Sequence, residues 1–113
     1  MIISDLYFQS SPQTASLDPQ ELDNLMTELP QWEIQGLSVA CLVREYKCAD
    51  FLSAMALATR IAELAEHYDH HPELTIRWGV LGIKWWTHTA NGITGNDVFL
   101  AYQCELLTKK DNN

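Results

Sequence analysis

Between Asp50 and Tyr68 the chain repeats apolar residues at helical spacing without a break: Phe51, Ala54, Met55, Ala58, Ile61, Ala62 and Ala65. Such a stripe needs an apolar surface to cover it. Its many alanines let a helix sit close to that surface, as a helix on a sheet does. Asp50 is placed to begin or cap the helix. The stretch runs into Glu66-His67-Tyr68-Asp69-His70-His71-Pro72-Glu73. There Pro72 closes the helix, because the residue before a proline avoids helical geometry.

The rest of the chain supplies the sheet. Leu74, Ile76 and Trp78 alternate with Thr75 and Arg77, and Leu81, Ile83 and Trp85 alternate with Lys84 and Trp86. Gly79 and Gly82 permit a turn or bend between them. Upstream, Trp32-Glu33-Ile34 and Ser38–Tyr46 read as two strands, with a hairpin link at Gln35-Gly36-Leu37. Adjacent residues on a strand point to opposite faces, so Trp85 and Trp86 cannot share one core. One of them faces a ligand pocket or a subunit interface.

Two more helices are expected. Asp18-Pro19-Gln20-Glu21 starts one, with Leu22, Leu25, Met26 and Leu29 on its apolar face and Pro30 at its end. Asn91-Gly92 marks a turn, and Thr94-Gly95-Asn96-Asp97 opens a last helix with capping-box spacing. The order is α-β-β-α-β-β-α. This is an α+β domain, a four-stranded antiparallel sheet with helices packed on one face. It occupies residues 17–108, between a flexible arm at 1–16 and a frayed tail at 109–113. Tyr7 and Phe8 are the residues able to pin the arm, either to the domain or to a neighbouring subunit.

A chain of 113 residues with 47% apolar composition forms one domain with one core. Its formal net charge of -8 opposes direct nucleic-acid binding, which needs cations to neutralise phosphates. Cys41, Cys48 and Cys104 are an odd number with no CxxC pair, which fits a reduced, cytoplasmic protein. No apolar run reaches membrane-spanning length, and Met1–Gln20 has no Lys or Arg before its apolar residues, unlike a secretory signal.

Three of the four histidines fall in the connection after the central helix, and His88 follows on Trp85-Trp86-Thr87. Three readings compete. A zinc site needs three or four ligands in a defined geometry, yet there is no HExxH pattern and adjacent histidines rarely chelate one ion. Alternatively, the histidines sit on the surface or favour the end of the helix dipole. The third reading is acid–base catalysis. Imidazole titrates near neutrality, and neighbouring imidazoles push each other's pKa values apart. Such a group can give one proton and take another. Asp69 is placed to orient them, and Trp86 to offer a flat face to an aromatic substrate.

Ala65-Glu66-x-x-Asp69-His70-His71-Pro72-Glu73, Thr87-His88 and Gly92-Ile93-Thr94-x-x-Asp97-x-x-Leu100-Ala101 resemble the pterin-4a-carbinolamine dehydratase family. That family is also known as the dimerisation cofactor of a homeodomain transcription activator. Trp32 and Tyr46-Lys47-x-x-Asp50-Phe51 extend the resemblance more weakly. It implies a helix-flanked four-stranded antiparallel sheet, and dimers joined at their sheet edges and often paired into tetramers. It implies dehydration of 4a-hydroxytetrahydropterin to the quinonoid dihydropterin, which recycles the cofactor of aromatic amino acid hydroxylases, with no metal or organic cofactor.

By the same resemblance, His70, His71 and His88 match the three active-site histidines. Asp69, Trp86, Thr87 and Thr89 line the pterin pocket, with Glu66 and Asp97 in support. His71 and His88 are the expected proton-transferring pair, with His70 shaping the pocket. Asp97 also reads as a cap of the last helix. His67 matches no catalytic position. The chain departs from the family at Leu74, where Trp is frequent, at Trp78-Gly79 in place of Tyr-Asn, and at Trp85-Trp86 in place of smaller residues. The competing function is a non-catalytic binding protein, a dimerisation cofactor or assembly chaperone acting through the sheet edge. The intact histidine set favours the enzyme, and the surplus of tryptophans favours a protein partner.

Overall fold

The computed structural model describes residues 2–36 and 38–111. Met1, Leu37 and residues 112–113 lie outside the described residues, and with them parts of the expected arm, hairpin link and tail. The elements are α1 (Pro19–Met26), β1 (Glu33–Gln35), β2 (Cys41–Lys47), α2 (Phe51–Tyr68), β3 (Glu73–Arg77), β4 (Val80–Trp85) and α3 (Gly95–Asp111), with single 3-10 turns at Ile3–Asp5 and His88–Ala90. This is the expected order. The four strands form one antiparallel sheet in the spatial order β1-β2-β4-β3.

The register sorts the strand residues onto two faces. Leu42 pairs with Trp85, Tyr46 with Leu81, and Ile83 lies between Arg44 and Leu74. Leu42, Leu81, Ile83 and Trp85 are fully buried on the face that α2 and α3 cover. Each such side chain contributes about 1.5–3 kcal/mol through burial. The other face carries alternating charge, with Arg77 3.1 Å from Glu45 and Lys84 3.7 Å from Glu73. Arg44 is the charged residue on the covered face. Its guanidinium lies 3.3 Å from Glu105 and 4.1 Å above the Tyr46 ring, and the Trp32 indole N–H donates to the same Glu105 carboxylate at 2.8 Å. Pairing and stacking offset the cost of removing that charge from water.

Asp50 caps α2, accepting the Ser53 N–H at 2.7 Å, and Asp18 caps α1, accepting the Gln20 N–H at 2.7 Å. The buried stripe of α2 is turned from the expected one. Ala54, Ala58, Ile61 and Ala65 face the sheet, flanked by Leu57, Leu64 and Tyr68, while Phe51, Met55 and Ala62 face out. Two overlapping stripes compete on this helix. The one that buries two leucines and a tyrosine removes more apolar area from water than one containing Ala62.

Other boundaries shift modestly. Helix α1 ends at Met26, and i→i+3 bonds at Glu28 and Leu29 carry the chain on to Pro30. Strand β2 begins at Cys41 rather than Ser38. The turn expected near Gly79 and Gly82 forms at Trp78-Gly79, where Gly79 takes φ 73, and Gly82 stays within β4. Helix α3 continues to Asp111. The arm lies along the domain: Ile3 is buried, and Phe8 packs on Tyr68 and Phe99, whereas Tyr7 is 72% exposed.

Candidate active site

The site begins where α2 ends. The Asp69 N–H donates to the Glu66 carbonyl at 3.3 Å and the His70 N–H to the Ala65 carbonyl at 3.1 Å. This is a Schellman ending, which needs a left-handed residue at its pivot. Asp69 fills that place at φ 52, ψ 44, a conformation that Asp tolerates better than most side chains. The reversal swings the next residue back toward the sheet. The His70 ring therefore stacks parallel on Trp85, with centroids 5.8 Å apart and planes 6° apart, and Phe8 meets it edge-on at 6.1 Å.

Behind His70 lies a buried carboxylate. The His70 Nε2–H donates to Asp97 Oδ1 at 2.7 Å, an assignment that follows because an ionised carboxylate only accepts. The second oxygen, Oδ2, accepts the Thr87 hydroxyl at 2.7 Å and the Thr94 main-chain N–H at 2.8 Å. The Thr94 hydroxyl lies 2.8 Å from that of Thr87. Asp97 is 0% exposed, and this set of donors compensates for its burial. Its two oxygens divide the work: one holds the start of α3 and the other orients an imidazole. With Nε2 tied to Asp97, Nδ1 is left as the nitrogen able to exchange a proton with a ligand.

His71 and His88 stand differently. His71 is exposed and hydrogen-bonded to exposed Glu66 of the last turn of α2. His88 opens the 3-10 turn, is exposed, and lies edge-on to Trp86 with centroids 5.2 Å apart. Trp86 is half-buried, while Trp85 is fully buried. The two tryptophans therefore separate as strand alternation requires.

A cavity of about 470 Å³ opens beside His70. It is large enough for a small ligand. Of the expected residues, Asp69, His70, Thr87 and Thr89 line it; Glu66, Trp86, His71 and His88 do not, and Asp97 stands one layer behind His70. Three contributors were missed from the sequence. His67 lines the cavity with His70, and because the chain reverses at Asp69 between them no helical spacing marks the pair. Asn96 and the arm also line it. The arm has no periodicity or motif, so nothing local marks where it docks. Among the described residues no group of three or more His, Cys, Asp and Glu side chains is arranged to hold a metal ion. Nor does any helix among them have the length and apolarity to cross a membrane.

Comparison with known proteins places these residues in a family. The family model for pterin 4 alpha carbinolamine dehydratase matches residues 15–107. Relatives provisionally named pterin-4-alpha-carbinolamine dehydratase include one from Thermomicrobium roseum, 45% identical over 77% of this chain and 90% of its own. Another, from Rickettsia canadensis, is 41% identical over 79% of this chain and 81% of its own. The crystal structure of a transcriptional coactivator/pterin dehydratase from Brucella melitensis matches with a TM-score of 0.73 at 27% identity, covering 81% of this chain and 97% of that one. In sequence and in fold alike, the chain belongs to the pterin-4a-carbinolamine dehydratase family.

Proposed function

We propose that the protein dehydrates 4a-hydroxytetrahydropterin to the quinonoid dihydropterin, the step that returns a tetrahydropterin cofactor to the cycle of an aromatic amino acid hydroxylase. The observation that carries this reading is the His70–Asp97 pair beside a ligand-sized cavity within the family-matched segment. In the reaction the C4a–O bond breaks, the oxygen takes a proton and leaves as water, and N5 loses its proton as the C4a–N5 double bond forms. No electrons are exchanged with a partner. An acid and a base in reach of adjacent atoms are sufficient, and each positioned transfer typically contributes ~10²–10⁴-fold.

The geometry favours a different split of roles from the one read in the sequence. His70 has the buried carboxylate and the place in the cavity wall, so we assign it a proton-carrying role. Its imidazolium form is the one Asp97 stabilises. His88 and His71 stand outside the cavity wall, and the family resemblance alone gives them the parts of second carrier and substrate-orienting group. Stopped-flow measurement of dehydration tests this on the wild type, His70→Ala and the double variant His71→Ala/His88→Ala, with circular dichroism to check folding. Turnover above the spontaneous rate, lost in folded variants, is the expected result. A folded wild type without such turnover would overturn the reading.

A second reading is a binding role, as a dimerisation cofactor or assembly chaperone, and one observation favours it. Phe51, Leu52 and Met55 at the start of α2 are 46%, 78% and 41% exposed, and Trp78 at the β3–β4 turn is 73% exposed. Exposed aromatic and aliphatic side chains suit a protein partner or a second copy of the chain. Analytical ultracentrifugation of the wild type against Leu52→Glu tests for self-association.

A further inference from the structure

His70 follows a helix end at which Glu66, His67 and Asp69 are all exposed, yet its own side chain is only 16% exposed. Three side chains hold it. Two belong to the core: Trp85 lies flat against the imidazole and Asp97 takes Nε2, and both are fully buried. The third does not. Phe8 meets the ring edge-on at 6.1 Å, and it belongs to the arm, outside the family-matched segment 15–107. Phe8 is half-buried in an aromatic cluster, 5.0 Å from Tyr68 and 6.2 Å from Phe99, which are themselves 5.3 Å apart. The arm is tied down on both sides of it. The N–H of buried Ile3 donates to Glu28 at 2.8 Å. Asn96, 5% exposed, grips Gln9 with its side chain: Oδ1 accepts the Gln9 N–H at 2.9 Å, and Nδ2 donates to the Gln9 carbonyl at 3.0 Å.

We propose that Phe8 is a positioning residue for His70: latched in place by Asn96, it keeps water from the His70–Asp97 hydrogen bond and holds the imidazole in the orientation that leaves Nδ1 for the ligand. The part this plays in turnover rests on the dehydratase reading; the hold on the ring rests on the contacts above. Trp85 supports one face of the imidazole and Asp97 fixes one corner. A half-turn about the Cβ–Cγ bond would put a carbon where Nε2 now meets Asp97, and would reverse Nδ1 as well. The contact with Phe8 limits that turn. A phenyl ring also shields the bond without offering a donor or acceptor of its own, and a hydrogen bond to a carboxylate is stronger where water is excluded. Because Phe8 and Gln9 are adjacent, the grip of Asn96 on Gln9 acts on His70 at one remove. The site is complete only while the arm is docked.

The test reads the imidazole apart from turnover. Nitrogen-15 NMR of the full chain at mildly alkaline pH follows the His70 ring, assigned with His70→Gln, in the wild type, Phe8→Ala, Phe8→Tyr and Asn96→Ala. The wild type is expected to show one tautomer, with its proton on Nε2 and exchanging slowly with water. In Phe8→Ala that exchange is expected to be about tenfold or more faster, as local opening becomes easier, and the second tautomer to appear. Stopped-flow dehydration is expected to give a kcat about tenfold lower in Phe8→Ala with KM within about threefold, the loss that follows when a reacting group is held out of line. Phe8→Tyr keeps the ring and is expected to restore both readouts. Asn96→Ala leaves the aromatic cluster intact and is expected to move both in the same direction by less; it carries the test alone if Phe8→Ala fails to fold.

Phe8 also lines the cavity, and a residue that served only as its wall would raise KM and leave the His70 signal unchanged. That result overturns the proposal, as does a folded Phe8→Ala protein with a protected Nε2–H and wild-type kcat. The failure of the functional reading is separable. A His70 signal that responds to Phe8→Ala in a protein without turnover above the spontaneous rate sinks the dehydratase reading and leaves Phe8 as the residue that positions the ring. Turnover that survives the loss of the His70 signal unchanged does the reverse.

Discussion

Asp97 holds His70 through one carboxylate oxygen, at 2.7 Å, and the main-chain N–H of Thr94 through the other, at 2.8 Å. One buried charge thus serves the fold and the site, and two substitutions separate these duties. Asp97→Asn keeps a carbonyl oxygen for Thr94 but removes the charge that steadies the His70 imidazolium. Turnover is expected to fall roughly 10²-fold, within the usual contribution of positioned proton transfer. Asp97→Ala strands the Thr87 hydroxyl, the Thr94 amide and His70, and is expected to cost about 2–4 kcal/mol of stability. Urea denaturation and single-turnover kinetics on both variants check this. An asparagine variant with wild-type turnover would remove Asp97 from the mechanism.

Asp69 presents a related division. It holds a left-handed conformation, at φ 52, that glycine adopts without strain, and its side chain lines the cavity. Asp69→Gly is expected to leave stability equal or higher, by at most about 1 kcal/mol, because relief of strain is set against a more flexible unfolded chain. Pterin affinity is expected to drop in the same variant. A helix ending optimised only for stability would carry glycine here, so a variant that gains stability and keeps full affinity would show that Asp69 has no part in binding.

Most of the fold was legible because its elements announce themselves locally. Periodicity, prolines and caps marked α2, Asp18 and Asp50 in the sequence, and strand alternation required Trp85 and Trp86 to part, while the sheet's register decides that Trp85 is the one in the core. The facing of α2 was less legible. An alanine-rich helix is apolar around more than half its circumference, and only the sheet beneath decides which leucines turn inward. In the site, the His-His-Pro run and Asp97 stood out by motif. The partition of the histidines did not, since it depends on the reversal at Asp69 that sends His70 inward and leaves His71 outside with Glu66. The docking of Gln9 on Asn96 joins residues 87 apart in sequence and leaves no local pattern.

Asp50 gives a prediction in pH. The N–H and hydroxyl of Ser53 hold its carboxylate below the usual carboxyl range. A depressed folded pKa stabilises the fold above the unfolded value of about 3.9, and that contribution is lost as pH falls through the lower folded value. Asp50→Ala is therefore expected to lower the Tm at pH 7, and the gap is expected to narrow below about pH 4. Asp50→Asn caps without a charge and should show no such narrowing. Thermal melts of the three proteins between neutral and acid pH decide it. A gap that persists unchanged to the lowest pH would assign the effect to something other than the charged cap.

Cys104 lies at the centre of the core, fully buried in α3, and burial pushes its thiol up to about 12. The thiolate is the reactive form, so at mildly alkaline pH this sulfur is doubly protected, by protonation and by lack of access. Cys41 and Cys48 are half-buried, and burial also raises the Cys41 thiol, though it remains accessible. Titration with a disulfide reagent should show two thiols reacting from the native state, Cys48 ahead of Cys41, and a third that waits for unfolding. Because the third thiol is reached only when α3 leaves the sheet, its rate measures the opening of the layer that holds Asp97. Asp97→Ala should then speed the third phase in proportion to its loss of stability, provided modification of the open state is slow relative to reclosing. A third thiol that reacts as fast as the others in the folded wild type would mean that the core around Trp85 and Cys104 opens without global unfolding.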